Sequence, residues 1–146
     1  MSYYMDSSAL VKRYHYEIGT EKVDEIIDEM NGEEIFISSV TLIEIIATLR
    51  RKVKERKITK SRFLKLKSAF LYDVERRYTL IPLDDSLLTD ALNIAEKYGT
   101  KSLDALQLAS ALKTKPVHPE IIFVSADKQL LKYAEKEGFK ILNPEK

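Results

Sequence analysis

Four carboxylates stand in otherwise apolar company: Asp6, Glu44, Asp104 and Asp127. Asp6 closes the run Tyr3-Tyr4-Met5. Glu44 is the only charge between Glu34 and Arg50, with Leu42-Ile43 before it and Ile45-Ile46 after it. Asp104 is the only charge between Lys101 and Lys113, and Asp127 follows Ile121-Ile-Phe-Val-Ser-Ala. Ionised acids are rarely buried without a partner, because the lost hydration must be replaced. Gathered in one place, four of them would raise one another's proton affinity unless a cation offset the charge. Oxygen donors alone, in a chain without cysteine, suit a hard divalent ion such as Mg²⁺ or Mn²⁺.

The elements that must position these acids follow from the apolar periodicity. Residues 2–5 read as a short strand, followed by a helix through about Tyr16 that Ser7 or Ser8 caps. Thr20 to Met30 has helical spacing, with Val23, Ile26, Ile27 and Met30 on one face and Asn31-Gly32 as its stop. Ile35-Phe-Ile is a buried strand. Thr41 to about Arg56 and Ser61 to Arg76 form two helices separated at Ile58-Thr59. Tyr78 to Leu83 is a strand whose Pro82 favours an end or an edge. A helix from Asp84, Asp85 or Ser86 runs to Tyr98 with Gly99 as its stop, and Ser102 caps the next, which ends before Pro116. Ile121 to Val124 is a strand, Asp127 to Lys136 a helix stopped by Gly138, and Phe139 to Leu142 the last strand. Strands alternating with helices predict a parallel sheet between two helical layers.

Ligands of such sheets bind beyond the carboxyl ends of the strands. Asp6 and Asp127 each sit just past a strand end, and Glu44 and Asp104 lie near the starts of apolar helices. All four are therefore expected at one rim. Each also has a plain structural reading: Asp6 and Asp127 as helix caps, Asp104 as an acid serving the helix dipole. Glu44 has the least structural excuse, since its apolar neighbours leave no polar face.

Composition bounds the alternatives. A chain of 146 residues fits one domain, residues 1–146, and buries a real core. With 45% hydrophobic and 32% charged residues it is globular and not disordered. No apolar run reaches a membrane span, and Asp6 and Lys12 interrupt any secretory layout, so a cytoplasmic protein is expected. The net charge of +1 is uninformative, but its distribution is not: between Arg50 and Lys67 ten Lys or Arg residues face one acid, Glu55. Such a block attracts phosphates, or is simply a solvated helical hairpin. A phosphoacceptor receiver domain also clusters acids at strand ends, but it wants a strand-end lysine that is not evident here.

Four strings carry a resemblance that runs nearly end to end: Tyr4-Met-Asp-Ser-Ser-Ala-Leu-Val-Lys12, Ser38-Ser-Val-Thr-Leu-Ile-Glu44, Leu103-Asp-Ala-Leu-Gln-Leu-Ala-Ser-Ala-Leu112 and Val124-Ser-Ala-Asp-Lys-Gln-Leu-Leu131. No one of them is specific, but four in this order are. Together they resemble the PIN domain, and within it the VapC-like toxins of prokaryotic toxin–antitoxin pairs. The resemblance implies a three-layer α/β/α fold with a five-stranded parallel sheet and a metal-dependent endoribonuclease. Asp6, Glu44, Asp104 and Asp127 match the family's catalytic, metal-binding acids; Ser8 and Ser125 match its supporting hydroxyls. The resemblance also implies one or two Mg²⁺ or Mn²⁺ ions, an RNA substrate, a cognate antitoxin, a homodimer and no membrane. The basic hairpin then has two candidate roles, toward RNA or toward antitoxin. An RNA-processing nuclease without antitoxin, or a silent PIN module that binds RNA or protein, stays open as the alternative.

Overall fold

The structure is a computed structural model and describes residues 1–29 and 33–146. Five strands, β1 (Tyr3–Met5), β2 (Ile35–Ser38), β3 (Tyr78–Ile81), β4 (Ile122–Val124) and β5 (Lys140–Leu142), form one parallel sheet in the order β3-β2-β1-β4-β5. Strand side chains alternate between faces. Tyr4, Phe36 and Phe123 face α5 (Asp85–Tyr98), α6 (Ser102–Leu112) and α7 (Lys128–Lys136), while Met5, Ile35, Ile37 and Val124 face α1 (Ser7–Tyr14), α2 (Thr20–Asp28), α3 (Val40–Lys54) and α4 (Lys60–Arg76). This is the expected α/β/α sandwich. Each fully buried strand side chain contributes roughly 1.5–3 kcal/mol, and Tyr4 stacks on Phe123 with ring centroids 5.3 Å apart.

The chain runs outward in both directions from β1, so the strand order reverses between β1 and β4. At such a switch point the connections on either side leave in opposite directions and open a crevice at the carboxyl ends. Met5 pairs with Val124 in register, which puts the last residues of the two central strands side by side.

Element ends differ from expectation in ways that bear on function. Asp6, and neither Ser7 nor Ser8, caps α1: its backbone is extended and its Oδ1 accepts from the Ala9 N–H at 3.0 Å. That helix stops at Tyr14, where His15 turns extended, short of the predicted Tyr16. Lys101, without a side-chain bond, takes the cap position of α6 assigned to Ser102, which is its first helical residue. The α3 helix ends at Lys54 because Arg56 adopts a left-handed φ of 61°, and Thr59 caps α4 through the Arg62 N–H. The expected end of α2 at Met30 and its stop at Asn31-Gly32 lie outside the described residues. β3 is an edge strand and ends before Pro82.

Candidate active site

The two strand-end acids sit at the switch point. Asp6 follows β1 and is only 4% exposed, and Ser125, fully buried, follows β4. Ser125 Oγ donates to Asp6 Oδ2 at 2.7 Å, and Ser8 Oγ donates to Asp6 Oδ1 at 2.8 Å. Both hydroxyls are themselves held: the Ala126 N–H donates to Ser8 Oγ and the Asp127 N–H to Ser125 Oγ, each at 3.0 Å. Their hydrogens are thereby committed to the carboxylate. Even so, burial lifts the Asp6 carboxyl to about pH 6; the bonds from Ser125, Ala9 and Ser8 pull it down, and the charge of Asp127 adds to the rise.

Asp127 caps α7, its Oδ1 accepting from the Gln129 and Leu130 N–H groups at 2.9 and 3.1 Å. The capping reading of Asp6 and Asp127 is therefore correct as geometry, and it leaves both at the rim. Asp104 lies in the first turn of α6, half-buried; burial first, then the charge of Asp127, raises its proton affinity, Lys101 lowers it, and Glu44 raises it further. Glu44 belongs to the second turn of α3 and is half-buried, with Oε1 accepting from Ser7 Oγ at 2.6 Å and Gln107 Nε2 at 2.7 Å. Asp6 and Asp104 thus both feel the charge of Asp127, and Asp104 feels Glu44 as well.

Among the described residues, no Lys or Arg pairs with any of these four acids. Among the same residues, no three Asp, Glu or His side chains stand close enough to share one ion. The reason is local: Asp6, Asp127 and Glu44 are each turned onto protein donors. Sharing an ion among three of them requires side-chain rotation. The donor chemistry itself fits a hard divalent cation, being all oxygen, negatively charged and without a competing cation.

Sequence reading missed the residues behind Glu44. Gln107 is 2% exposed, and its amide reaches Glu44, Thr41 and Ser7 on one side and the Tyr4 hydroxyl on the other. Its signal was a lone amide in the apolar run Leu103 to Leu112, one helical turn after Asp104. His118 stands at the opposite, amino-terminal end of the sheet, with its Nδ1 3.1 Å from Ser2 Oγ. The basic block covers the end of α3, the turn and the start of α4, and most of it is exposed. No described helix is long and apolar enough to cross a membrane.

Comparison with known proteins agrees with this architecture. The fold is similar to that of the FitAB complex bound to an IR36 DNA fragment (TM-score 0.68, 15% identity, 99% of this chain and 96% of that one). It is similar also to a toxin–antitoxin complex from Klebsiella pneumoniae (0.65, 13%, 97% and 96%). VapBC2 from Rickettsia felis bound to a promoter DNA fragment is another such structure (0.64, 16%, 98% and 98%). At these identities the likeness establishes the fold. No curated protein matches the sequence. The PIN domain model matches residues 3–136, a span that holds all four acids, both serines and Gln107. By that match over most of its length, the chain belongs to the PIN domain family.

Proposed function

We propose that this chain is a metal-dependent endoribonuclease that hydrolyses RNA phosphodiester bonds, with residues 1–146 as one nuclease domain. The carrying observation is Asp6: a buried carboxylate at the switch point, held by two serines, facing the charge of Asp127 and, among the described residues, paired with no Lys or Arg. In a structural ion-pair cluster the charges cancel, and here they accumulate. A bound Mg²⁺ or Mn²⁺ supplies neutralisation of the scissile phosphate and a water of lowered pKa, with one or two ions able to serve.

Asp6 and Asp104 are the main residues that would hold the cation, with Asp127 and Glu44 as the further acids of the site. Ser8 and Ser125 hold the two oxygens of Asp6 and orient its carboxylate. Asp6 must be ionised to serve, and at neutral pH it is, although burial holds it near 6. Glu44, fixed at Oε1, is placed to hold metal or to orient water. No histidine enters, since His118 lies at the other end of the sheet and His15 at the far end of α1 from Asp6. The exposed basic hairpin attracts the phosphates of the substrate.

Its biological setting, on this reading, is that of the toxin of a type II toxin–antitoxin pair, a homodimer in the cytoplasm restrained by a cognate antitoxin. Support comes from the Klebsiella structure of the same fold, which is described as a toxin–antitoxin complex. Purified protein is expected to cut RNA with Mn²⁺, and to stop with EDTA or on Asp6→Asn. Unchanged cleavage by that variant overturns the assignment. Growth arrest on expression, relieved by the product of a neighbouring small reading frame, is expected for a toxin. Robust cleavage without either effect points to an RNA-processing nuclease.

A further inference from the structure

Gln107 joins every element that carries an acid of the site except the β4–α7 corner. It sits one turn after Asp104 on α6, so both project from the same helix face. Its Nε2 lies 2.7 Å from Glu44 Oε1, 2.9 Å from Thr41 Oγ1 and 3.1 Å from Ser7 Oγ, and its Oε1 accepts from the Tyr4 hydroxyl at 2.5 Å. Thr41 and Glu44 are likewise one turn apart on α3, while Ser7 begins α1 and Tyr4 belongs to β1. Gln107, Tyr4 and Thr41 are all buried.

The chemistry determines how the amide must point. A carboxylate only accepts, so the nitrogen of Gln107 faces Glu44 and its oxygen faces Tyr4, whose hydroxyl must then donate. Nε2 has two hydrogens for three acceptors. Ser7 Oγ has already donated to Glu44 Oε1 at 2.6 Å, so the third place is not a deficit. Two donors thus converge on one oxygen of Glu44, and among the described residues no hydrogen bond falls on the other oxygen. A half-buried carboxylate needs no such treatment to be solvated, because water would serve it. Ordering a long, flexible side chain against its entropy instead makes sense where its position matters.

We propose that Gln107 is a positioning residue that, locked by Tyr4, pins Oε1 of Glu44 and leaves Oε2 available to the cation. This inference rests on the metal-site reading above. It assigns Gln107 no contact with substrate; it acts through Glu44.

The test uses the full chain in Gln107→Leu, Tyr4→Phe, Glu44→Gln and the double variant Glu44→Gln/Gln107→Leu. Mn²⁺ affinity is read by calorimetry, kcat and KM on RNA by cleavage, and folding by thermal unfolding without metal. Gln107→Leu is expected to weaken Mn²⁺ binding by about 10-fold to 100-fold, with a lower kcat and an unchanged KM for RNA. Tyr4→Phe is expected to change both in the same direction by less. The double variant is expected to bind no worse than Glu44→Gln alone, because the pair acts as a unit. Wild-type affinity in folded Gln107→Leu overturns the proposal, as do additive losses in the double variant, which mark a general packing role. If Gln107→Leu does not fold, Tyr4→Phe decides by the same measurement, and wild-type affinity there overturns the proposal. Wild-type Mn²⁺ binding by Glu44→Gln removes Glu44 from the cation's ligands and overturns the proposal, no Mn²⁺ binding by the wild-type chain overturns the metal-site reading itself, and a defective Glu44→Gln beside an unaffected Gln107→Leu overturns only the positioning.

Discussion

One helix, α1, has a buried carboxylate problem at each end and solves it two ways. At its far end, Arg13 donates from Nε to Asp73, which is 7% exposed, and from its other nitrogens to Asp24 and Asp28, at 3.0–3.1 Å. Arg77 adds a second cation 3.3 Å from Asp73, and the Tyr14 hydroxyl donates to the same acid at 2.7 Å. Burial pushes the Tyr14 and Tyr78 hydroxyls well up, so both stay neutral donors in this network. At the near end, about 10 Å away along the axis, Asp6 has hydroxyls and one backbone N–H but, among the described residues, no cation. The same helix thus carries a compensated cluster and an uncompensated one. Compensation is what a structural network needs; its absence leaves negative charge that a cation can answer.

The largest expected effect comes from breaking the compensated end. Asp73→Ala removes the buried acceptor that Arg13, Arg77 and Tyr14 share, leaving Arg13 only Asp24 and Asp28 and Arg77 only Asp28, and is expected to lower stability by about 3 kcal/mol in urea unfolding, with RNA cleavage per folded molecule unchanged. Stability equal to wild type would erase the distinction between the two ends. Asp6→Asn is expected to do the reverse. Metal-dependent cleavage should fall on the order of 10²–10³-fold, while stability at pH 7 holds or rises, because a neutral amide carries no buried charge.

The pH dependence sharpens that contrast. The folded carboxyl of Asp6 lies at about 6 against an ordinary 3.8, so the folded state holds this proton more tightly than the unfolded chain. Its contribution therefore favours folding below that window and is lost as pH rises through it. The loss is on the order of 1–3 kcal/mol, and the Asp6→Asn variant should lack this slope. Parallel urea titrations of the two proteins from pH 4.5 to 7 read it directly, and identical slopes would deny Asp6 its raised proton affinity. Smallest is the gain from metal. Mn²⁺ at tenfold its Kd is expected to add about 1.4 kcal/mol, or about 3–6 °C in Tm, to wild type and nothing to Asp6→Asn. A shift retained in the variant would place the ion elsewhere.

Much of this was legible in the chain. All five strands lie within a residue or two of their predicted spans, because short β-branched and aromatic runs between turn residues leave few alternatives. Glu44 stood out in the chain as an acid with no polar face, and the fold supplies one through Ser7 and Gln107. What its apolar run could not say is which neighbours are inside: Ile45 is fully buried, whereas Ile43 is 69% exposed. Periodicity over residues 40–49 of α3, which are apolar all round but for Glu44 and two threonines, does not choose a face. Nor could local sequence show that Asp6 caps its own helix while sitting at the rim, since a cap and a ligand use the same residue type in the same place.

The sequence by itself determined the donor chemistry, all oxygen and all acidic, and the local elements that carry it, because both depend on residue type and near-neighbour spacing. Tertiary structure alone decided that β1 lies beside β4, that Ser125 meets Asp6, and that Gln107 reaches Ser7 across a separation of 100 residues. It also decided which acids are answered and which are not. Compensation of a charge depends on what the fold brings within a few ångströms, and chain order carries no direct record of that.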